Sequence, residues 1–348
     1  LVAQKIDSLA KLLFNKSFMG SVTFLKQVFI TLGEFIYYLF RYELLSTLCP
    51  IGSRQNKHWF AIHDNSIKTD RLLTLMPLTS KCPIEQNERT NTLIMELFRA
   101  LHHPYIYPVL DLELCNGHAL TVFPFNSRGS LKDLIYKSTW NEEYSRKYST
   151  AGVGLPAGQV ARFGRQILEG LLFLKDKGLP PFRHLHSGNV VVQNGVARIC
   201  GLENTLIGAL SRCPMALALE HVETLSLGYV LFEMCAGTEL VFYVLIYHQV
   251  VEIIEQIFGP RTPSLHELLL CELFRKIDLR EMKGSCLPRL SRSCLSLLGE
   301  VARRSPRTPP APPGPAPAPR RSGPASPATP PHRRSYNYYN TSFIIISL

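Results

Sequence analysis

Acidic residues and lysine are absent from the C-terminal part of the chain. Beyond Glu300 there is no Asp, Glu or Lys, whereas seven arginines lie in that stretch. Without those arginines the chain has 31 basic and 27 acidic residues, so the formal net charge of +11 belongs largely to this tail. The rest of the chain lacks the basic excess expected of a nucleic-acid-binding domain. We therefore predict no nucleic-acid partner.

No two of the nine cysteines have the C-x-x-C spacing that is typical of zinc-binding and redox motifs. Several cysteines lie inside apolar runs, which favours reduced, buried thiols and a cytoplasmic location. His184 and His186 are close in sequence, but no neighbouring Cys or His completes a set of four metal ligands. A metal site is not expected, and no resident cofactor is predicted.

The chain also lacks a run of about 20 uncharged apolar residues, the length that spans a bilayer. The most hydrophobic early stretch, 24–40, is 17 residues long and contains Lys26 and Glu34. We expect an amphipathic packing helix there, within an N-terminal apolar segment at 1–41. Neither a membrane span nor a cleavable signal peptide is predicted.

Short strands and one helix are predicted between residues 42 and 136. The strand candidates are 58–62, 71–78 and 118–125. Apolar residues that share one helical face predict the helix, and Pro104 helps to end it. These residues are Leu93, Ile94, Leu97, Phe98 and Leu101.

Helices dominate the pattern from residue 157 onward. Apolar residues recur at helical spacing as far as Gly178, which is placed to end that helix. Asn194-Gly195 lies between two short apolar runs, and this dipeptide is the strongest short signal for a two-residue hairpin. The apolar stretch 223–237 predicts a buried helix, and 264–274 predicts a short final one.

Proline dominates the end of the chain, where 12 of the 25 prolines fall between Val301 and Pro331. Such a composition cannot bury a core, so we predict a disordered Pro/Arg-rich tail at 283–348. Within it, Arg307, Pro310 and Pro313 match the R-x-x-P-x-x-P pattern of an SH3 ligand, with a plain spacer as the alternative. Ser-Pro and Thr-Pro pairs, and arginines beside serines, make phosphorylation and 14-3-3 binding further candidates.

The order of the elements and several of their sequences resemble protein kinases. The stretch 129–135, GSLKDLI, resembles the segment after a kinase hinge, and 167–179 resembles the helix before the catalytic loop. The stretch 223–239, ETLSLGYVLFEMCAGTE, and the stretch 263–274 resemble the later helices. The resemblance implies an α+β, bilobal fold at 42–282, with a small strand-rich lobe and a larger helical lobe.

The residues that a kinase uses for chemistry are replaced in this chain. A kinase holds ATP phosphates with a strand lysine, binds Mg²⁺ through an aspartate and positions the acceptor hydroxyl with another aspartate. By resemblance, Met76 takes the place of the strand lysine and Ile94 that of its helical glutamate partner. His184 takes the place of the catalytic aspartate and Gly201 that of the metal-binding one, whereas Asn189 is retained.

The glycine-rich loop that covers phosphates is also reduced. Only Gly52 remains in the corresponding stretch, and Arg54 and Lys57 lie close to it. A residual nucleotide pocket would use Gly52, Met76 and Asn189. The stretch from Gly201 to the acidic residue at the start of the buried helix is 22 residues, shorter than the activation segment of an active kinase.

The sequences HLHSGNV and GLENTLIG resemble a small family of kinase-like proteins. One member has a phosphoinositide-binding PX domain ahead of its kinase-like region, and another modulates calcium-activated potassium channels. The resemblance implies a pseudokinase scaffold that binds the cytoplasmic region of such a channel and is recruited to the plasma membrane by it. Two alternatives remain open: a weak phosphotransferase that uses His184, Asn189 and Glu203, and a domain that senses ATP without Mg²⁺.

Overall fold

The computed structural model describes residues 41–54, 56–211, 221–240, 248–283 and 288–304. The packing helix predicted at 24–40 and the SH3, phosphorylation and 14-3-3 motifs of the tail lie outside these ranges. Within the described part of the chain, no helix is both long enough and apolar enough to cross a bilayer.

The small lobe is a five-stranded antiparallel sheet. Alternate residues of its strands, such as Leu73 and Leu75, enter a small apolar cluster with Phe60 and Ile62. The three predicted strands are confirmed. The strands are β1 (Tyr42–Leu48), β2 (His58–Asp64), β3 (Thr69–Pro77), β4 (Asp111–Cys115) and β5 (His118–Pro124). They lie in the order β1-β2-β3-β5-β4.

Helix α1 (Glu88–Ala100) packs beside this sheet and confirms the predicted helix. It begins after Asn87, whose side-chain oxygen accepts a hydrogen bond from Thr90 N at 2.8 Å, so that one free backbone donor of the first turn is satisfied. Of the predicted face, all residues except the half-buried Leu93 are buried. The apolar face therefore fixes α1 against the core.

The larger lobe is mostly helical, and at its centre the helix Ala157–Asp176 packs against the helix Val222–Ala236. The predicted final helix at 264–274 is two short helices, because Cys271 adopts an extended backbone between them. The helices are α2 (Leu131–Tyr136), α3 (Tyr144–Lys147), α4 (Ala157–Asp176), α5 (Leu202–Leu206), α6 (Val222–Ala236), α7 (His248–Phe258), α8 (Leu265–Leu268) and α9 (Glu272–Arg275).

A two-stranded hairpin, β6 (Val190–Gln193) and β7 (Val196–Ile199), precedes α5. Asn194 and Gly195 both have positive φ, at 54° and 72°, as the tightest hairpin turns require. The predicted hairpin is confirmed. The bridge between Ile106 and Ile199 joins β7 to the segment after α1.

A further helix, α10 (Arg292–Arg304), lies inside the predicted tail and packs against α1 and α5. Its buried side chains are Cys294, Leu297, Leu298 and Val301. Arg304 also donates a hydrogen bond to Pro83 O at 3.1 Å. Disorder from residue 283 onward is therefore wrong for 292–304, because an apolar face at helical spacing precedes the proline-rich stretch.

Candidate cleft between the lobes

A cleft with a volume of about 690 Å³ lies between the two lobes. Of the six positions assigned from the sequence by resemblance to a kinase site, four line the cleft: Gly52, His184, Asn189 and Gly201. They come from the β1–β2 loop, from the segment before β6 and from the turn into α5. The structure therefore brings these predicted positions together at one site.

Met76 and Ile94 lie in the hydrophobic core and are not among the cleft-lining residues. Both side chains are buried, at 6% and 0% exposure. The part of β3 that faces the cleft is Leu72, which pairs with Phe123 of β5. A leucine in this place presents an apolar surface to the cleft.

Gly52 allows the β1–β2 loop to lie against Trp59. A Cβ atom added at Gly52 would come within 2.8 Å of the indole ring, closer than atoms pack. The described residues that follow, Ser53 and Arg54, line the cleft, and so does Lys57 just before β2. The loop thus directs cationic side chains into the space that a glycine-rich loop would leave to phosphates.

Lys57 forms a buried ion pair with Glu203 across the cleft. Lys57 Nζ lies 3.1 Å from Glu203 Oε1, and the two side chains are only 9% and 3% exposed. The same ammonium lies 4.9 Å from the centre of the Trp59 ring and 5.7 Å from that of Phe123. A cation over aromatic faces gains further attraction from the ring quadrupoles.

Gly201 turns the chain so that Glu203 enters the cleft. Its φ of 86° is left-handed, and α5 begins directly after it. The side-chain amide of Asn204 bonds both to Gly201 O, at 2.9 Å, and to Glu203 Oε1, at 3.1 Å. Glu203 Oε1 therefore accepts from both the lysine and the amide, while Glu203 Oε2 and Asn204 Oδ1 have no hydrogen-bond partner among the described residues.

His184 is buried and neutral. Burial in the first place, and then the nearby charges of Arg54, His186, Arg183 and Lys57, lower the pKa of His184 to about 3. Arg54 Nη2 lies 3.2 Å from His184 Nδ1. A guanidinium can only donate, so Nδ1 is the acceptor and the ring proton is on Nε2.

Asn189 holds the loop that carries His184. Its side-chain Nδ2 donates to His184 O at 2.8 Å, and its backbone carbonyl accepts from Cys200 N at 2.9 Å. Glu223 supports the same loop, since its carboxylate accepts from Phe182 N at 2.9 Å. Burial raises the pKa of Glu223. Both polar side chains are thus used for structure within the larger lobe.

A second set of charged side chains, all from the larger lobe, also lines the cleft. Asp133 accepts from Lys147 Nζ at 3.0 Å and from the Tyr148 hydroxyl at 2.8 Å. Lys132 pairs with Glu233 at 3.7 Å and also with Glu239. Three tyrosine rings surround the Lys132 ammonium within 6 Å: Tyr136, Tyr144 and Tyr148.

Neither a partner for Lys57 nor a role for this second set was predicted from the sequence. One signal for Lys57 was its position directly before the apolar strand that begins His58-Trp59-Phe60, because a lysine beside a buried strand needs an acid nearby. From the sequence, Glu203 was considered only as one of the residues that a weak phosphotransferase would use. The described residues contain no group of three His, Cys, Asp or Glu side chains placed to hold a metal ion.

The fold is that of the protein kinases. The structure superposes on Rad53 residues 1–466, solved in complex with AMP-PNP, with a TM-score of 0.50 and 12% identity. The match covers 71% of this chain and 69% of that one. At this identity the likeness establishes the bilobal α+β fold alone, and the predicted fold class is confirmed.

Sequence similarity identifies the relatives. The chain is 46% identical to slowpoke-binding protein of Drosophila melanogaster over 84% of its own length and 64% of that protein. It is 37% identical to the probable inactive serine/threonine-protein kinase slob2 of Dictyostelium discoideum, over 57% of this chain and 36% of that one. It is 32% identical to the PX domain-containing protein kinase-like protein of Mus musculus, over 57% and 35%.

The chain is thus a relative of slowpoke-binding protein and of these kinase-like proteins, as its motifs predicted. It spans between 35% and 64% of the length of the three. None of the family models compared with the sequence matches it. The names "probable inactive" and "kinase-like" among the relatives are consistent with a pseudokinase.

Proposed function

We propose that this chain is a pseudokinase scaffold that binds the cytoplasmic region of a slowpoke-type, calcium-activated potassium channel. The main observation in support of a non-catalytic cleft is the buried ion pair of Lys57 and Glu203 inside it. The partner is inferred from the 46% identity to slowpoke-binding protein. A cytoplasmic location, with recruitment to the plasma membrane by the channel, is part of the same proposal.

Mg²⁺ binds ATP in kinases through carboxylate oxygens, because a hard cation prefers oxygen ligands. Each acidic residue among the described cleft-lining residues forms an ion pair with a lysine. The pairs are Glu203 with Lys57, Asp133 with Lys147, and both Glu233 and Glu239 with Lys132. Gly201, at the position assigned to the metal-binding aspartate, has no side chain. Because each of these carboxylates is already neutralised by a lysine, the pairs support a cleft that does not attract Mg²⁺.

His184 is a poor substitute for the catalytic base. A base with a pKa of about 3 has little tendency to take a proton from a hydroxyl near neutral pH. Its Nδ1 also faces the Arg54 guanidinium rather than an open acceptor site. These observations weigh against the weak phosphotransferase that His184, Asn189 and Glu203 would form.

A metal-free nucleotide site is the second candidate function. It is favoured by the volume of the cleft and by its apolar walls, which include Leu72, Phe123 and Val191. Arg54 and Lys57 would supply positive charge near phosphates without a metal. In this case ATP raises the melting temperature equally with and without Mg²⁺.

One set of experiments tests these functions. The purified full chain is mixed with the cytoplasmic region of the channel, and co-precipitation is measured for the full chain and for a version that ends at Arg304. Binding by both supports the scaffold and assigns the contact to the part of the chain before the proline-rich tail. If neither version binds, the proposal of a channel partner is contradicted.

ATP titration separates the catalytic and nucleotide-sensing alternatives. A scaffold without nucleotide binding shows no shift of the melting temperature with ATP, whether or not Mg²⁺ is present. A Mg²⁺-dependent shift together with transfer of labelled phosphate to protein would contradict the pseudokinase assignment. A shift of the same size with and without Mg²⁺ would establish the metal-free site instead.

A further inference from the structure

The loop between β1 and β2 contacts the larger lobe at separate points along its length. Pro50 O accepts a hydrogen bond from Tyr144 N at 2.8 Å. Arg54 lies 3.2 Å from His184, and Lys57 lies 3.1 Å from Glu203. The contacts of this one loop therefore reach three segments of the larger lobe, on both sides of the hairpin.

In an active kinase the corresponding loop closes over the phosphates, and the nucleotide with its Mg²⁺ joins the lobes. Here the chain's own side chains make the connection. We propose that the cleft is held closed without nucleotide by the contacts of Lys57 with Glu203, Arg54 with His184 and Pro50 with Tyr144. The closed arrangement is then a permanent feature of the protein rather than a response to a ligand.

The chemistry of Lys57 suits a clamp between lobes. Its ammonium lies near the rings of Trp59 and Phe123, which both belong to the small lobe. Contacts within this lobe therefore hold the cation in position independently of the larger lobe. Glu203 of the larger lobe then supplies the opposite charge. A cation that is already placed loses less side-chain entropy on pairing than one on a free surface.

The second contact adds a charge-assisted hydrogen bond. His184 is 5% exposed, and its low pKa keeps the ring neutral, so that Nδ1 is free to accept from the Arg54 guanidinium. Hydrogen bonds to a charged donor are stronger than neutral ones. An aspartate at residue 184, as in an active kinase, would leave a charged group in the same buried position.

Hydrogen exchange of the full chain tests the clamp, and the Tyr144 amide is a direct reporter. This amide donates across the cleft to Pro50 O, so its protection depends on the lobes being closed. In the absence of nucleotide we expect slow exchange at Tyr144. Lys57→Met removes a contact elsewhere on the loop and should speed exchange at Tyr144 about tenfold, since local opening sets the rate.

A second variant and a control keep the result interpretable. Arg54→Met removes a partly exposed side chain that contacts a neutral histidine, so it should fold and still speed exchange at Tyr144. Lys276→Met disrupts the exposed pair of Lys276 with Glu272 in α9 and should leave the rate unchanged. Circular dichroism confirms that each variant is folded.

The only two tryptophans in the chain provide an independent measurement, because Trp59 and Trp140 both line the cleft. Quenching of their fluorescence by acrylamide should rise in Lys57→Met and Arg54→Met but not in Lys276→Met. The proposal is overturned if ATP with Mg²⁺ slows exchange at Tyr144 in the unmodified chain, because closure would then need nucleotide. It is also overturned if Tyr144 exchanges equally fast in the unmodified chain and both cleft variants.

Discussion

Lys57 and Glu203 belong to opposite lobes, and their charged atoms lie 3.1 Å apart within side chains that are almost fully buried. The two residues are 146 positions apart in the sequence. Neither is at the position where an active kinase has its own lysine–glutamate pair, which would be on β3 and α1. The free energy of unfolding should therefore depend on whether both charges of this pair are present.

Removing one partner of the pair should destabilise the protein strongly. Lys57→Met leaves the Glu203 carboxylate buried without a counter-charge, and Glu203→Gln leaves the Lys57 ammonium buried without one. Each substitution should lower the free energy of unfolding by about 3 kcal/mol. The double variant should cost less than the sum, because neither charge is then left alone. Denaturation with urea measures all three variants.

The exposed pair of Lys276 with Glu272 is the control for this experiment. Both of its side chains are more than half exposed, so Lys276→Met should cause no measurable loss of stability. If Lys57→Met is as mild as Lys276→Met, the pair in the cleft does not form as the structure places it.

Stability should also fall in acid because of His184. The pKa of His184 is about 3 in the folded chain, against about 6.5 for an unperturbed histidine. Between these values the unfolded chain binds the extra proton, so stability is complete above about pH 6.5 and falls as the pH drops. At pH 5 the loss from this residue is about 2 kcal/mol.

Urea denaturation at pH 7 and pH 5 measures this effect in the unmodified chain and in His184→Asn. The variant should lose less stability between the two pH values, since asparagine does not titrate. The remaining slope belongs to other groups, including His103, whose pKa burial lowers to about 4. Identical slopes in the two proteins would contradict a buried, neutral His184.

Local patterns made much of the fold predictable. The hairpin at Asn194-Gly195 and the apolar face of α1 depend on residues that are neighbours in sequence, and both predictions are confirmed. The pairing of Lys57 with Glu203 was not predictable in this way, because tertiary structure alone brings those segments together. The same holds for α10, whose partners α1 and α5 lie far upstream.

The position of Met76 illustrates a second limit. Leu72, Thr74 and Met76 are spaced by two along β3, so they point to the same side of the strand. The sequence cannot say which of them lies over the cleft, since this depends on how far the strand extends across its neighbours. In the structure Leu72 lines the cleft, and the equivalence of Met76 with a kinase lysine stays a prediction.

Gly201 should tolerate a side chain less well than another left-handed glycine. Gly195→Ala, at a φ of 72° with no atom near the new Cβ, should cost about 1 kcal/mol from backbone strain alone. Gly201→Ala carries the same strain and places Cβ 3.0 Å from the amide nitrogens of Asn189 and Asn204. Its larger loss of stability, measured by urea denaturation, isolates the crowding. Equal losses would show that the two amides move aside freely.

Helix α10 should contribute to the stability of the folded domain through its buried face. Leu298 is 2% exposed, so Leu298→Ala should lower the free energy of unfolding by about 2–5 kcal/mol, as expected for truncation of a core leucine. Leu295 lies on the same helix but is 49% exposed, which makes Leu295→Ala a matched control with the same change of helix propensity.

Urea denaturation compares the two variants in the full chain. Leu295→Ala should hardly change the free energy of unfolding, because the exposed Leu295 side chain buries little apolar surface on folding and alanine favours a helix. A loss confined to Leu298→Ala means that the folded domain extends to Arg304 and that α10 supports α1. If both substitutions are neutral, residues 292–304 do not pack on α1, and the folded domain ends near residue 283 as the proline content suggested.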